Sequence, residues 1–227
     1  MTTNLRTRAA GRLLKTLIFL CILLFISARS LHFWQAWLFV GLMSVCWAGF
    51  LLHLLKNDPQ LIERRLESRE SEPEQRLFQK LFALLLLLGL VAAGLDFRFR
   101  WSRSLGPFPT WLVLIGQVAV VAGYSFVFWV MKTNTFAGAT IHVESEQKVI
   151  SHGPYRIVRH PMYLGMVLTA LGIPIALGSY VAFPLFALFV PALIYRLVHE
   201  ERTLRRSLPG YAEYCAIMRF RLVPWVW

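Results

Sequence analysis

Along the chain, apolar runs at about residues 13–28, 32–55, 77–95, 108–131, 162–178 and 180–199 alternate with short polar segments. Apolar residues are bunched within each run rather than spread at amphipathic spacing, the pattern of segments with no aqueous face. A helix needs about 20 mostly apolar residues to cross the hydrocarbon core, because backbone polar groups cannot be left unpaired in lipid. The pattern therefore predicts an all-α, polytopic integral membrane bundle of five to six transmembrane helices. The first and fifth runs are short. Only Gly178 and Ser179 separate the fifth from the sixth, which predicts a tight helical hairpin kinked by Pro174, Pro184 and Pro191.

The chain is 57% hydrophobic and 16% charged, with a net charge of +12. That charge raises nucleic acid as a partner, but the basic residues fall between the apolar runs and not as an aromatic-interleaved stripe on one face, so no nucleic acid is expected. Twenty Lys and Arg lie in the N-terminal tail, the 56–80 and 132–160 segments and the tail from Arg196 onward; four, Arg29, Arg98, Arg100 and Arg103, lie in the alternate loops. With an even number of spans this split predicts both termini cytosolic. The first run, preceded by Arg6, Arg8, Arg12 and Lys15, could imitate a secretory signal. A second full-length run follows almost at once, so it is read as a retained span. Cys21, Cys46 and Cys215 are isolated and read as small hydrophobes.

This organisation divides the chain into residues 1–131, transmembrane helices with a cytosolic loop at 56–80, and residues 132–227, which hold the chemistry-bearing motifs. Lys56 to Arg76 mixes both charge signs with Leu61, Ile62 and Leu66 at partly helical spacing; a cytosolic surface helix and a solvated linker both fit. Trp225 and Trp227 suit an interfacial anchor for the tail.

Polar residues at the ends of apolar runs are costly and need a reason. One cluster is Gly153-Pro154-Tyr155-Arg156-Ile157-Val158-Arg159-His160-Pro161-Met162-Tyr163-Leu164-Gly165. Gly153-Pro154 marks a turn, and Pro161 suits the first turn of a helix, which places His160 near its N-cap with Tyr163 three residues on. Helix N-termini favour anionic groups. A basic membrane-anchoring loop with Tyr at headgroup level is the competing reading. The second cluster, Tyr195-Arg196-Leu197-Val198-His199-Glu200-Glu201-Arg202-Thr203-Leu204, places Arg196 and Glu200 four apart on one helix face. A plain surface ion pair competes there with a polar pocket reached from water and from lipid.

GPYRIVRHPMYLG, a helical hairpin, the R-x-x-x-E-E-x-x-L pattern and a tail carrying Tyr211-Ala212-Glu213-Tyr214 with Arg219, Arg221 and Pro224 together resemble the isoprenylcysteine carboxyl methyltransferase family, whose general plan membrane phospholipid methyltransferases share. The resemblance covers about residues 132–224. It implies a cytosolic pocket formed by the C-terminal helices that holds S-adenosyl-L-methionine, with a lipophilic or prenylated acceptor entering from the bilayer among membrane lipids. By matching positions it implies cofactor contacts from Tyr155, His160, Pro161, Met162, Tyr163 and Glu200. Strand-like Gln147, Lys148, Val149 and Ile150, with His142, would line the adenosine side. Arg196 matches the family's substrate-facing arginine, and Arg196 and Glu200 are the expected catalytic pair. Carboxyl methylation of an isoprenylcysteine-like acceptor is the activity implied, with phospholipid amine methylation as the variant. Ser207-Leu208-Pro209-Gly210 replaces the family's usual Phe-Gly before the tail and predicts a differently shaped lid.

The chemistry suits these residues. Methyl transfer from a sulfonium is an in-line displacement in which the protein aligns the reactants and excludes water. It requires no metal, and none is expected. A soluble methyltransferase would show a Gly-rich strand-turn-helix, which is missing from this sequence. A di-iron hydroxylase would need clustered histidines, whereas His32, His53, His142, His152, His160 and His199 are scattered. A sterol-type reductase using NADPH and a non-catalytic membrane protein stand as the remaining alternatives.

Overall fold

The computed structural model describes residues 2–67, 73–134 and 149–227. Among them the protein is all-α, with no strand. Helix α1 (Thr2–Cys21) runs on into a π-helical turn, Ile22–Ile26. Next come α2 (Trp34–Asn57), α3 (Pro59–Glu67), α4 (Pro73–Phe99), α5 (Thr110–Thr133), α6 (Pro161–Ala176), α7 (Phe183–Ala187), α8 (Phe189–Ser207) and α9 (Tyr211–Ile217). Among the described residues, five segments are long and apolar enough to cross a membrane: Asn4–Ile26, Trp34–Asn57, Arg76–Phe99, Thr110–Thr133 and Phe183–Ser207. The chain folds as a polytopic membrane bundle.

The helix that carries the first span begins well before residue 13. Leu5 and Ala9 are buried while Arg6, Arg8 and Arg12 are exposed, so α1 carries its helix past the apolar run with its charges turned outward. Helix α3 occupies part of the 56–80 loop, starting where Asp58 accepts the Leu61 N–H at 3.1 Å. The 16 residues of α6 rise only about 24 Å, short of the ~30 Å hydrocarbon core. The hairpin expected at Gly178-Ser179 is a longer turn over residues 177–182, and the returning segment is broken at Leu188 into α7 and α8.

Helices α5 and α6 pack antiparallel on four glycines spaced two turns apart on facing stripes. A Cβ at Gly116 would lie 2.3 Å from the Ala176 nitrogen, and one at Gly123 2.5 Å from Thr169 Oγ1. At Gly165 it would lie 2.7 Å from Val127 Cγ2, and at Gly172 3.0 Å from Val120 Cγ2. Small residues let two backbones approach in lipid, where dispersion and not hydrophobicity holds helices together. This close contact fixes the start of α6 beside the end of α5.

The two ends of the bundle differ. At one, buried Asp96 accepts the Ser102 N–H at 2.7 Å and the Ser179 hydroxyl at 2.5 Å, and also bonds the Ser102 hydroxyl. There too the Gln117 side-chain amide donates through Nε2 to Gln35 O at 3.2 Å and to Ala176 O at 3.0 Å. Arg29, Arg98, Arg100 and Arg103 all belong to this end and all are exposed. At the other end Leu5, Ala9, Leu54, Leu61, Ile62 and Met131 cluster, near the basic segments. An impermeant maleimide should therefore label His152→Cys from the cytosol and Arg103→Cys from the opposite side. Both native positions are exposed, and buried Cys215 should stay unreactive. Labelling in the reverse pattern would overturn the assignment of both termini to the cytosol.

Candidate functional site

The motif 153–165 is built against the C-terminal tail. A 3₁₀ turn, Gly153–Arg156, buries Pro154 and leads to backbone pairing, with Arg159 N–H donating to Phe220 O and His160 N–H to Arg221 O, each at 2.9 Å. His160 is the N-cap of α6 and makes no side-chain capping bond; Pro161 opens the helix and is buried. This start agrees with the expectation from Pro161, since its missing N–H costs little in a first turn.

Three of the sequence-derived residues meet at the facing ends of α6 and α8. The Tyr163 hydroxyl donates to Glu200 Oε2 and accepts from Arg196 Nε at 3.2 Å, so one buried phenol bridges the two charged side chains. The Arg196 guanidinium also lies 5.2 Å from the ring centre of Phe78, on α4. His160 is buried with its ring 5.9 Å from that of Tyr163, but its Nε2 faces Tyr211 OH at 3.4 Å and Glu201 Oε1 at 3.6 Å.

Tyr155 lies beside this group rather than in it. Its hydroxyl accepts from Asn134 Nδ2 at 2.8 Å, and its carbonyl accepts the Tyr214 hydroxyl at 2.8 Å. Val149 packs with Tyr155 against Leu208, Tyr211 and Tyr214. Ile150 is half-buried, and both it and Val149 have no regular structure, so the strand-like reading does not hold for these two residues. Extended pairing needs a neighbouring strand, and the described residues contain none. His142, Gln147 and Lys148 lie outside the described residues. Met162 turns away from Tyr163 and packs with the Leu54 and Met131 cluster.

Burial pushes the Tyr155 phenol up to about 12, with the charge of Glu200 adding to the rise and the Asn134 hydrogen bond opposing it. Burial likewise raises Tyr211 and Tyr214. These phenols thus remain protonated donors throughout the neutral range.

Glu201 joins several partners here, and its role was not read from the sequence. Buried on α8, it receives Arg159 Nη1 at 2.5 Å and Arg221 Nε at 2.9 Å. Arg159 also donates to Met218 O at 2.7 Å and Arg219 O at 2.8 Å. The arginine of the RHP motif thereby ties the start of α6 to α8 and to the tail. The tail lays Leu222 and Trp227 against Tyr163, Leu193 and Leu197, whereas Trp225 is 86% exposed. A doublet of adjacent carboxylates at the foot of an apolar helix was the available signal, since two such charges point about 100° apart and can face different surroundings.

Residues 111–209 match the family model described as phospholipid methyltransferase, from α5 to the end of α8. The chain resembles the membrane isoprenylcysteine and phospholipid methyltransferases. Two relatives, from Oryza sativa subsp. indica and subsp. japonica, are described as probable protein-S-isoprenylcysteine O-methyltransferases. Each is 31% identical over 110 residues, covering 45% of this chain and 53% of the relative. The chain thus spans about half the length of the curated relatives it matches. The methyltransferase-like region includes Tyr163, Arg196, Glu200 and Glu201, while α4 with Phe78 lies outside the matched residues.

Proposed function

We propose that the chain is an integral membrane methyltransferase that uses S-adenosyl-L-methionine to methylate a lipophilic acceptor, most readily the carboxylate of an isoprenylcysteine-like molecule. The bridging of Glu200 and Arg196 by the Tyr163 hydroxyl carries this reading: it sets an anionic and a cationic group on one phenol, between two apolar helices. The donor and acceptor set fits the cofactor. Glu200 accepts from amino or hydroxyl groups, the Tyr155 phenol donates, the Tyr163 hydroxyl holds the Glu200 carboxylate in place, and His160 and the aromatic rings offer faces to a base. When bound, the cofactor supplies an electrophilic methyl group on sulfur. Arg196 orients the acceptor carboxylate by charge-assisted hydrogen bonds. The apolar residues Leu193, Leu197 and Leu222, packed with Tyr163, keep water out. A carboxylate acceptor has no proton to lose, so its methylation requires no general base.

The phospholipid methyltransferase description favours a second acceptor class, a phospholipid amine. Arg196 would then hold the lipid phosphate. Isothermal titration with S-adenosylhomocysteine tests the cofactor assignment. Glu200→Gln retains an oxygen for the Tyr163 hydroxyl but loses the charge, so affinity should fall by about 1.5 kcal/mol, a little over tenfold. Unchanged affinity in a folded variant, or a wild type that binds NADPH instead, would refute it.

A further inference from the structure

Helix α4 lies outside the family-matched residues, yet it supplies the surface on which Arg196 rests. The Phe78 ring lies 5.2 Å from the guanidinium carbon, while Tyr163 OH takes Nε at 3.2 Å. A guanidinium stacked on a ring and bonded through Nε has its plane fixed on two sides, and a planar group held in one orientation is the geometry that grips a carboxylate or phosphate. Phe78 begins a file of rings: Phe82 at 5.8 Å, then Phe189 at 4.2 Å from Phe82 and Phe186 at 5.7 Å from Phe189. Phe186 and Phe189 are fully buried and fix the file's inner end. Phe78 and Phe82 are half-buried, next to Leu77, Leu81 and Leu84, which face outward. The α4–α8 seam therefore combines a cation with an aromatic wall on the bundle's exterior.

We propose that Phe78 is a specificity-determining residue for the acceptor: it presents Arg196 to an anionic head while the Phe78–Phe82 wall takes the attached hydrocarbon chain. This rests on the function proposed above and assigns part of acceptor recognition to the N-terminal half of the chain. It selects a molecule with one anionic group at the end of an apolar chain, and against the same chain with that charge removed.

The test uses the purified full-length protein and a dansylated S-prenylcysteine probe in two forms, free acid and methyl ester, with S-adenosylhomocysteine affinity measured in parallel. Wild type should prefer the acid. In Phe78→Leu, which keeps apolar bulk but loses the π face, that preference should shrink by roughly tenfold while S-adenosylhomocysteine affinity stays within about twofold; Phe78→Tyr, which keeps the face, should retain it. An acid-to-ester ratio unaltered in Phe78→Leu would overturn the proposal, as would a parallel fall in cofactor-product affinity. A wild type that binds neither S-adenosylhomocysteine nor the acid would overturn the underlying function with it.

Discussion

Replacing Glu201 by Ala should destabilise the protein by about 3 to 5 kcal/mol, because removing one member of a buried ion cluster leaves its partners charged and unpaired. The side chain of Glu201 is 5% exposed and that of Arg159 9%, so neither can be rehydrated in place. Arg221 is 35% exposed and can turn to water, so its share of the loss should be the smaller one. Glu201→Gln keeps the shape but not the charge and should still lose most of the stability. A loss of this size is a large fraction of the ~5–15 kcal/mol that a domain has in total. Thermal unfolding in detergent, for Glu201→Ala, Glu201→Gln, Arg221→Gln and the double variant Glu201→Gln/Arg221→Gln, measures it and the coupling of the pair. Losses under about 1 kcal/mol for both Glu201 variants would mean that the cluster is solvated after all. The tail should be the first part released, since Arg159 holds the Met218 and Arg219 carbonyls only while Glu201 holds Arg159.

What could be read from the sequence follows the physics that acts locally. Spans were legible because lipid demands long apolar runs whatever the tertiary fold. The start of the helix that carries the first span was not, since charged residues can continue a helix beyond the bilayer, as Arg6, Arg8 and Arg12 do on α1. The beginning of α6 was legible from Pro161, and the break of the returning segment into α7 and α8 falls one turn before Pro191, whose missing N–H and ring interrupt a helix there. The four-residue spacing of Arg196 and Glu200 placed them on one helix face, and both do meet Tyr163, but only the family resemblance tied them to a site. Glu201 acquires its meaning from Arg159, 42 residues away, and Arg221, 20 residues away, which no local pattern links. His160 was expected to converge with Tyr163, and their rings do lie close. Its Nε2, however, faces Tyr211 and Glu201, a choice made by the tail folding back. Phe78 shows the same limit, for nothing near it in the chain marks it as a neighbour of Arg196.

Arg196→Ala should lower kcat/KM for a carboxylate acceptor by roughly 30- to 150-fold, the effect of losing about 2 to 3 kcal/mol of charge-assisted hydrogen bonding, while S-adenosylhomocysteine affinity changes little. The guanidinium is half-buried and oriented by Tyr163 and Phe78, so an acceptor carboxylate left without it would face a poorly hydrated wall. Arg196→Lys keeps the charge as a point but cannot keep the planar fork or the stacked face, and should recover only part of the rate. Acceptor chemistry decides the pattern. If the acceptor is a phospholipid amine, the arginine must hold the phosphate, and both variants should change the preference among lipid headgroups more than the turnover of any one of them. Methyl transfer from labelled cofactor to a prenylcysteine analogue and to phosphatidylethanolamine, measured for wild type and both variants, separates the two cases. Wild-type rates in both variants on the active acceptor would reduce Arg196 to a partner of Tyr163 and Glu200 in a structural tie. Acceptor recognition would then have to be sought elsewhere along the α4–α8 seam.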